Sequence, residues 1–248
     1  MYSGKGIDRT VEQLGHMSNS SLRLDPGDFV FRLVREGAHL GAIGDNAPAA
    51  AIISGVVAQL LTRPALTLGD FGRPLVPGWP SALVLQVVAT DLIGEQPYWF
   101  GSDAPLQDAL IASSAIPGIF PWRAQPTPSG PLFLVDGGVV ANQPLSKLAD
   151  QGCGRIYACA VGASPGRSEP TNLIDNLLRS VNLTMHECSK LEEAALRQRM
   201  PSGGRVIHIH PEITTPLPDF DFTPALVNDV VNQSCQLTLD WLARDPKE

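Results

Sequence analysis

Short apolar runs of strand length alternate along this chain with longer stretches of helical periodicity. The apolar runs occupy residues 82–90, 132–136, 155–161 and 205–210. Helical patterns occupy residues 104–114, 171–200 and 224–243, and further helices are predicted within residues 8–61. Because strands that alternate with helices are typical of sheets with helical connections, the pattern predicts an α/β fold with a mainly parallel sheet.

The chain is long enough to form a substantial core, with 248 residues and no segment that reads as a linker. The proline-rich stretch 121–131 has the composition of a surface loop between two elements. The prediction is therefore a single domain that covers residues 1–248.

Composition and charge remove several classes of function. With 44% hydrophobic and 17% charged residues the chain is typical of globular proteins. The net charge is −7 and the basic residues are scattered, which argues against a nucleic-acid partner. The N-terminal residues lack the apolar region of a signal peptide, and no apolar stretch approaches the length of about 18 residues that spans a bilayer. The expected location is cytoplasmic or peripheral to a membrane.

One segment, VGASPG at residues 161–166, fits the G-x-S-x-G spacing of a nucleophile elbow. In such an elbow the residue after the serine gives its N–H to the oxyanion hole, but Pro165 has no N–H. Loss of one such donor typically costs about 10²–10³ in rate. Residues 167–172 also delay the helix that should follow at once. Ser164 is therefore predicted to lie in an ordinary connection between a strand and a loop.

Reactive side chains in open α/β sheets gather beyond the carboxyl ends of the strands. Polar residues at three such ends are Asp91, Asp136 and Ser164. Asp136 is followed by Gly137 and Gly138, which permit a sharp turn and the close approach of another segment. Taken alone, an aspartate that stabilises a turn through its own side chain is the simpler explanation.

The neighbouring motifs change this picture. The segments TLGDF, VVATDLIGE, ASSAIPGIFP, VDGGVVANQPL and DFDFTPALVNDVVNQSC occur in this order. With them the sequence, over about residues 29–243, resembles the patatin-like phospholipase family. The resemblance implies a three-layer α/β fold with helices on both faces of the sheet. It also implies hydrolysis of acyl esters in lipids by a Ser/Asp dyad, in which a carboxylate acts on the serine without a histidine between them.

The resemblance assigns roles to particular residues. The catalytic aspartate of the family lies in an Asp-Gly-Gly or Asp-Gly-Ala motif, which places Asp136 in the role of general base. The residues expected to shape the site and the acyl pocket are Gly137, Gly138, Ser113, Ser114, Pro117 and Gly118. The expected partner is a lipid or acyl ester, with peripheral membrane contact left open, and no cofactor is implied.

Two motifs that normally precede this region in the family have no counterpart here. Residues 3–6, SGKG, lack the glycine triplet of an oxyanion loop, and residues 44–48, GDNAP, contain no serine. The fold is therefore expected to be N-terminally incomplete, and the chain as given is predicted to be inactive. Either Met1 is an internal start, which the joint loss of two adjoining motifs favours, or the chain is a non-catalytic lipid-binding or interaction module.

Other chemistry is less well supported. A hydrolase that uses Ser164 with a histidine is a third hypothesis. His208 and His210 lie two apart on a predicted strand and so point to the same face. Because no third ligand follows in a recognisable pattern, no metal site is predicted.

Overall fold

The computed structural model describes residues 66–73, 83–159, 173–210 and 223–244, with Ala42, Ala50, Ala51, Glu169 and Ile213 as single positions. The chain divides into two compact units, and the division within the described residues falls between Ala141 and Asn142. Several predicted features lie outside the described residues: nearly all of the helices within 8–61, the segments 3–6 and 44–48, and both Ser164 and Pro165.

The first unit contains a four-stranded sheet. Its strands are β1, Val88–Asp91; β2, Gln96–Trp99; β3, Arg123–Gln125; and β4, Leu132–Asp136. Their spatial order is β2-β1-β4-β3, and each pairing is antiparallel. The helical elements of this unit are a 3-10 turn at Leu68–Gly72, helix α1 at Leu106–Ser113 and the short helix α2 at Gly138–Ala141.

The prediction of an α/β fold is confirmed, whereas the pairing in this sheet differs from the mainly parallel arrangement that was expected. The reason is the length of the connections. Residues 92–95 join β1 to β2, and such a link is far shorter than the dozen or more residues that a parallel crossover needs. The two strands therefore form a hairpin, and β4 pairs antiparallel with the other edge of β1.

Two local predictions need correction. Within the run at 82–90, only the last three residues join the sheet, and the strand they begin ends at Asp91, because β2 and β4 pair with Val88–Asp91 alone. Val84, near the start of that run, is 79% exposed. The stretch 121–131 was expected to be a loop, but its residues Arg123–Gln125 form β3, which pairs with β4.

The core of the first unit lies between α1 and the sheet. Leu134 in β4 and Ala89 in β1 are fully buried, and Ala109 of α1 packs in the same cluster. The strand at 132–136 has the bounds that its apolar pattern predicts. Because β4 lies between β1 and β3, Asp136 ends an internal strand of the sheet rather than an edge strand.

The second unit is built on a parallel pair of strands. Strands β5, Arg155–Cys159, and β6, Arg205–Ile209, pair in parallel. Its helices are α3, Leu145–Asp150; α4, Leu173–Arg199; and α5, Pro224–Arg244. Here the parallel prediction is confirmed, because the connection between the strands is long enough to include α4. Ile156, Ala158 and Leu196 are buried in its core.

Leu134→Ala tests the importance of the core beneath β4. The substitution removes a side chain with no exposed surface, so we expect the free energy of unfolding to fall by about 2–5 kcal/mol. Urea unfolding followed by tryptophan fluorescence measures this change, since Trp99 and Trp122 lie in the same unit. The control Leu239→Ala removes a side chain that is 61% exposed and should cost less than about 0.5 kcal/mol. Equal effects of the two substitutions would contradict this packing.

Candidate active site

Asp136 is the last residue of β4, and its side chain is half-buried. Its backbone N–H donates to the carbonyl of Ala115, just beyond the end of α1, over 2.9 Å. Its backbone carbonyl accepts a hydrogen bond of 2.8 Å from the hydroxyl of Thr90 in β1. The end of β4 is therefore held from two sides, by the helix end and by the neighbouring strand.

The carboxylate of Asp136 is held by the turn that follows it. One oxygen, Oδ1, accepts a hydrogen bond of 2.7 Å from the backbone N–H of Gly138. The other oxygen, Oδ2, accepts no hydrogen bond from any residue that the structure describes. An ionised carboxylate offers acceptor sites on both oxygens. The side chain thus has one fixed oxygen and one that is available to a further donor.

Gly137 is required by the close approach of its backbone to β1. A β-carbon at this position would lie far inside contact distance of the carbonyl oxygen of Val88. The obstacle is backbone of a central strand, which cannot move aside as a flexible side chain could. The first glycine of the Asp-Gly-Gly sequence therefore lets the chain turn tightly against β1, and the N–H of the second reaches the carboxylate.

The predicted pocket residues lie at the end of α1 and in the turn beyond it. Ser113 contributes its carbonyl, which accepts the N–H of Gly137 over a long 3.4 Å. The hydroxyl of Ser114 bonds back to the carbonyl of Leu110 in its own helix, a common arrangement near helix ends. Pro117 and Gly118 form a turn in which Gly118 has a φ of 79°. No hydrogen bond among the described residues joins that turn to Asp136.

The environment of Asp136 changes its acid strength. Burial raises the pKa of its carboxyl above the ordinary value, because desolvation penalises the charged form, and the hydrogen bond from Gly138 opposes part of this rise. A carboxylate with a raised pKa is a stronger base than one in water. The arrangement can therefore accept a proton from a hydroxyl placed at its available oxygen.

Asp91 is not paired with Asp136, although both residues end strands. The antiparallel register places Asp91 opposite Leu134 and Asp136 opposite Ala89. The expectation that these strand ends meet at one edge is therefore wrong for this pair. Asp91 is buried, and its Oδ1 accepts the backbone N–H of Ile93 over 3.0 Å, so it stabilises the hairpin turn.

The two histidines considered as metal ligands are exposed: His208 lies in β6, and His210 follows its last residue. His208 is 3.8 Å from the carboxylate of Glu193, and His210 is also exposed. Within the described ranges, no three histidine, cysteine, aspartate or glutamate side chains come together as a metal site would require.

Sequence reasoning missed Thr90 as a residue of the site. Thr90 is 3% exposed, and the preceding residues Ala89 and Val87 are also buried. The one signal in the sequence is a hydroxyl residue within an apolar run. Its partner, Asp136, lies 46 residues later in the chain, so local spacing could not reveal the contact.

The fold and the site define a class: α/β proteins that present a carboxylate at the end of an internal strand, on a glycine turn. The family model of the patatin-like phospholipases matches residues 29–149, a region that contains Asp136 and the turn after it. The match ends before β5, so the closing helix of the predicted resemblance falls outside it.

Neither similarity to curated proteins nor the helices themselves give further information on a lipid partner. No curated protein gave a significant match to the chain. None of the helices in the described ranges is both long and apolar enough to cross a lipid bilayer. The connection to lipids therefore rests on the family-model match of residues 29–149.

The raised pKa of Asp136 predicts a pH-dependent effect of Asp136→Asn on stability. When the pKa of a carboxyl is higher in the folded state than in the unfolded state, the free energy of unfolding falls as pH rises from the unfolded value to the folded one. Above both values the burial of the charged carboxylate destabilises the folded state. The amide oxygen of asparagine can still accept the N–H of Gly138, so the variant should be more stable than wild type at pH 7. This advantage should disappear as pH falls below the unfolded value.

Urea titrations of both proteins between about pH 3 and pH 8 measure this difference, because this range extends below the ordinary aspartate pKa of about 3.9. Asp108→Asn, on the exposed side of α1, is a control for loss of one negative charge. A variant that is less stable than wild type at pH 7, with a gap that does not change with pH, would contradict the assigned cause.

Proposed function

We propose that this chain is a lipid acyl hydrolase domain in which Asp136 is the general base of a Ser/Asp dyad. The observation that carries the proposal is the carboxylate geometry. One oxygen is fixed by the N–H of Gly138 over 2.7 Å, and the other has no hydrogen-bond donor among the described residues. This is the arrangement that a base needs when it orients a serine hydroxyl and takes its proton.

The electrostatics favour the same role. A general base works best when its pKa approaches the working pH, and burial moves the pKa of Asp136 in that direction. Only the ionised form can accept the proton. Hydrolysis by a dyad of this kind should therefore rise with pH through the pKa of Asp136 and then level off.

The neighbouring residues would shape the site. Gly137 and Gly138 form the turn that brings an N–H to the carboxylate, and we propose that the segment from Ser113 to Gly118 borders the acyl pocket. The support is that the carbonyls of Ser113 and Ala115 contact the backbone of Gly137 and Asp136. This segment is thus fixed to the aspartate through the backbone, whatever its side chains contact.

The sequence contains no serine that meets the requirements of the nucleophile in this dyad. Ser164 is the one serine with G-x-S-x-G spacing, and the proline that follows it removes a donor from the oxyanion hole. We therefore propose that the chain as printed does not turn over acyl esters by itself.

An esterase assay tests this proposal. We expect the purified chain to hydrolyse p-nitrophenyl butyrate no faster than the buffer, with Asp136→Asn and Ser164→Ala giving the same rate. In any form of the protein that carries the nucleophile, Asp136→Asn should lower the rate by about 10²–10⁴-fold, the usual contribution of a general base. Turnover that Ser164→Ala abolishes and Asp136→Asn leaves intact would contradict the assignment of Asp136.

A second candidate function, a lipid-binding module without catalysis, is favoured by one surface. The turn between β1 and β2 carries two adjacent aliphatic side chains, Leu92 and Ile93, which are 49% and 66% exposed. Trp122 is 45% exposed, and its ring packs edge-on against Phe133 with 6.3 Å between centroids. The N–H of Leu92 bonds to the carbonyl of Phe133, so these side chains form one surface, which we name the hairpin-tip patch.

The backbone of this patch is suited to a lipid interface. The N–H groups of Leu92 and Ile93 are satisfied within the protein, by the carbonyl of Phe133 and the carboxylate of Asp91, over 3.0 Å in each case. Polar backbone groups that lack such partners are costly to bring into lipid. Tryptophan is enriched at the boundary between membrane and water. We propose that the patch makes peripheral contact with the membrane that carries the substrate.

Sedimentation with phosphatidylcholine vesicles tests the membrane contact. Replacing both aliphatic residues, Leu92→Ser with Ile93→Ser, should lower the bound fraction at least about tenfold, because each loses apolar area that the lipid would cover. Binding should change little with salt, since the chain has a net charge of −7 and no basic cluster. The control Leu239→Ser alters an exposed leucine of the second unit and should bind as wild type does. Equal binding by all three proteins would exclude the patch.

A further inference from the structure

Thr90 is a polar residue in a place where packing alone would favour valine. Its side chain is 3% exposed, and it is one of few polar side chains buried in the described part of the chain. Valine has nearly the same shape and carries no hydroxyl to desolvate. A buried hydroxyl without a partner costs about 1–3 kcal/mol, so a threonine here needs a hydrogen bond. That bond goes to the backbone carbonyl of Asp136.

The bond acts on the peptide group that joins Asp136 to Gly137. The carbonyl of this group accepts the hydroxyl of Thr90 over 2.8 Å. The N–H of the same group donates to the carbonyl of Ser113 over 3.4 Å, which is long for such a bond. Thr90 is therefore the stronger of the two contacts that fix how this peptide plane is rotated.

That plane leads into Gly137, and the N–H of Gly138 belongs to the following peptide group, whose carbonyl accepts the N–H of Ala141 in α2 over 2.9 Å. Gly138 follows directly, and its N–H reaches Oδ1 of Asp136 over 2.7 Å. Because α2 holds the peptide group of the Gly138 N–H and Thr90 holds that of the Asp136 carbonyl, loss of the Thr90 contact lets Asp136 shift relative to this N–H and weakens the bond that fixes one carboxylate oxygen. The hydroxyl of Thr90 thus acts on the carboxylate through the backbone, without touching it.

We propose that Thr90 is a positioning residue for Asp136: the hydroxyl of Thr90 holds the turn so that one carboxylate oxygen is fixed and the other stays available to a further donor. The assignment rests on the proposed function only in describing Asp136 as a base. The hydrogen bonds involved exist whatever the chain catalyses, and they can be measured without turnover.

The experiment compares the hydroxyl with the methyl group of Thr90. Thr90→Val removes the hydroxyl and keeps the shape, whereas Thr90→Ser keeps the hydroxyl and removes the methyl group. Two readouts are followed in the full chain: hydrogen exchange of the Gly138 N–H, and titration of the Asp136 carboxyl by NMR. Loss of one hydrogen bond should speed exchange at Gly138 about tenfold in the valine variant.

The same change should raise the pKa of Asp136 further, since the hydrogen bond from Gly138 lowers it in the wild type. Thr90→Ser should match wild type in both readouts. Thr127→Val is the matched control, because the hydroxyl of Thr127 also bonds to a backbone carbonyl of this unit, that of Gly130, before β4 begins. It should leave both readouts unchanged.

Unchanged exchange and titration in Thr90→Val would overturn the positioning role, even if Asp136 is the base. If the valine variant does not fold, Thr90→Ala and Thr90→Ser are compared, because both lack the methyl group and differ only in the hydroxyl. Identical behaviour of these two would also overturn the proposal. A serine variant that matches wild type, beside an alanine variant with faster Gly138 exchange, would support it.

Discussion

The close approach of the Gly137 backbone to the carbonyl of Val88 is the constraint on which the candidate site depends. There is no room for a side chain between β1 and the turn after β4, so the chain can reverse tightly only with glycine there. The tight turn brings the N–H of Gly138 back to the carboxylate of Asp136. The same packing buries the carboxylate, and this burial raises its pKa.

These effects act on Asp136 in opposite directions, and both are useful for a base. Burial alone would keep the carboxyl protonated, and so unable to accept a proton, up to a higher pH. The hydrogen bond from Gly138 favours the charged form and opposes this shift in pKa. Contacts from α1 and from Thr90 hold the backbone on either side. The similarity of residues 29–149 to the patatin-like phospholipases suggests the substrate class that this local chemistry would serve, acyl esters of lipids.

Much of the local structure could be predicted from the sequence. The apolar run before Asp136 predicts β4 with its observed bounds, and the glycines after it predict the sharp turn. The three long helical patterns predict α1, α4 and α5 within a few residues. These elements have strong periodicity, which is a property of short segments and so can be recognised in one sequence.

What could not be predicted depends on contacts between distant segments. β2, Gln-Pro-Tyr-Trp, has no apolar run, and it is a strand because β1 pairs with it through a short turn. The antiparallel register of β1 with β4, which sets Leu134 rather than Asp136 opposite Asp91, is formed between segments that are distant in the chain. The bond from Thr90 to Asp136 joins residues 46 apart, and no local pattern encodes it. Ser164 lies outside the described residues, so the sequence argument about Pro165 remains a prediction.

The ionisation of Asp136 in the wild-type chain decides whether the turn prepares this carboxylate to act as a base. Its pKa can be measured by following the side-chain carboxyl carbon with NMR from acid to neutral pH, using selective labelling of aspartate. The structure predicts a titration midpoint above the ordinary value for an aspartate, because desolvation outweighs the hydrogen bond from Gly138. A midpoint at or below the ordinary value would contradict the raised basicity and, with it, the role proposed for Asp136.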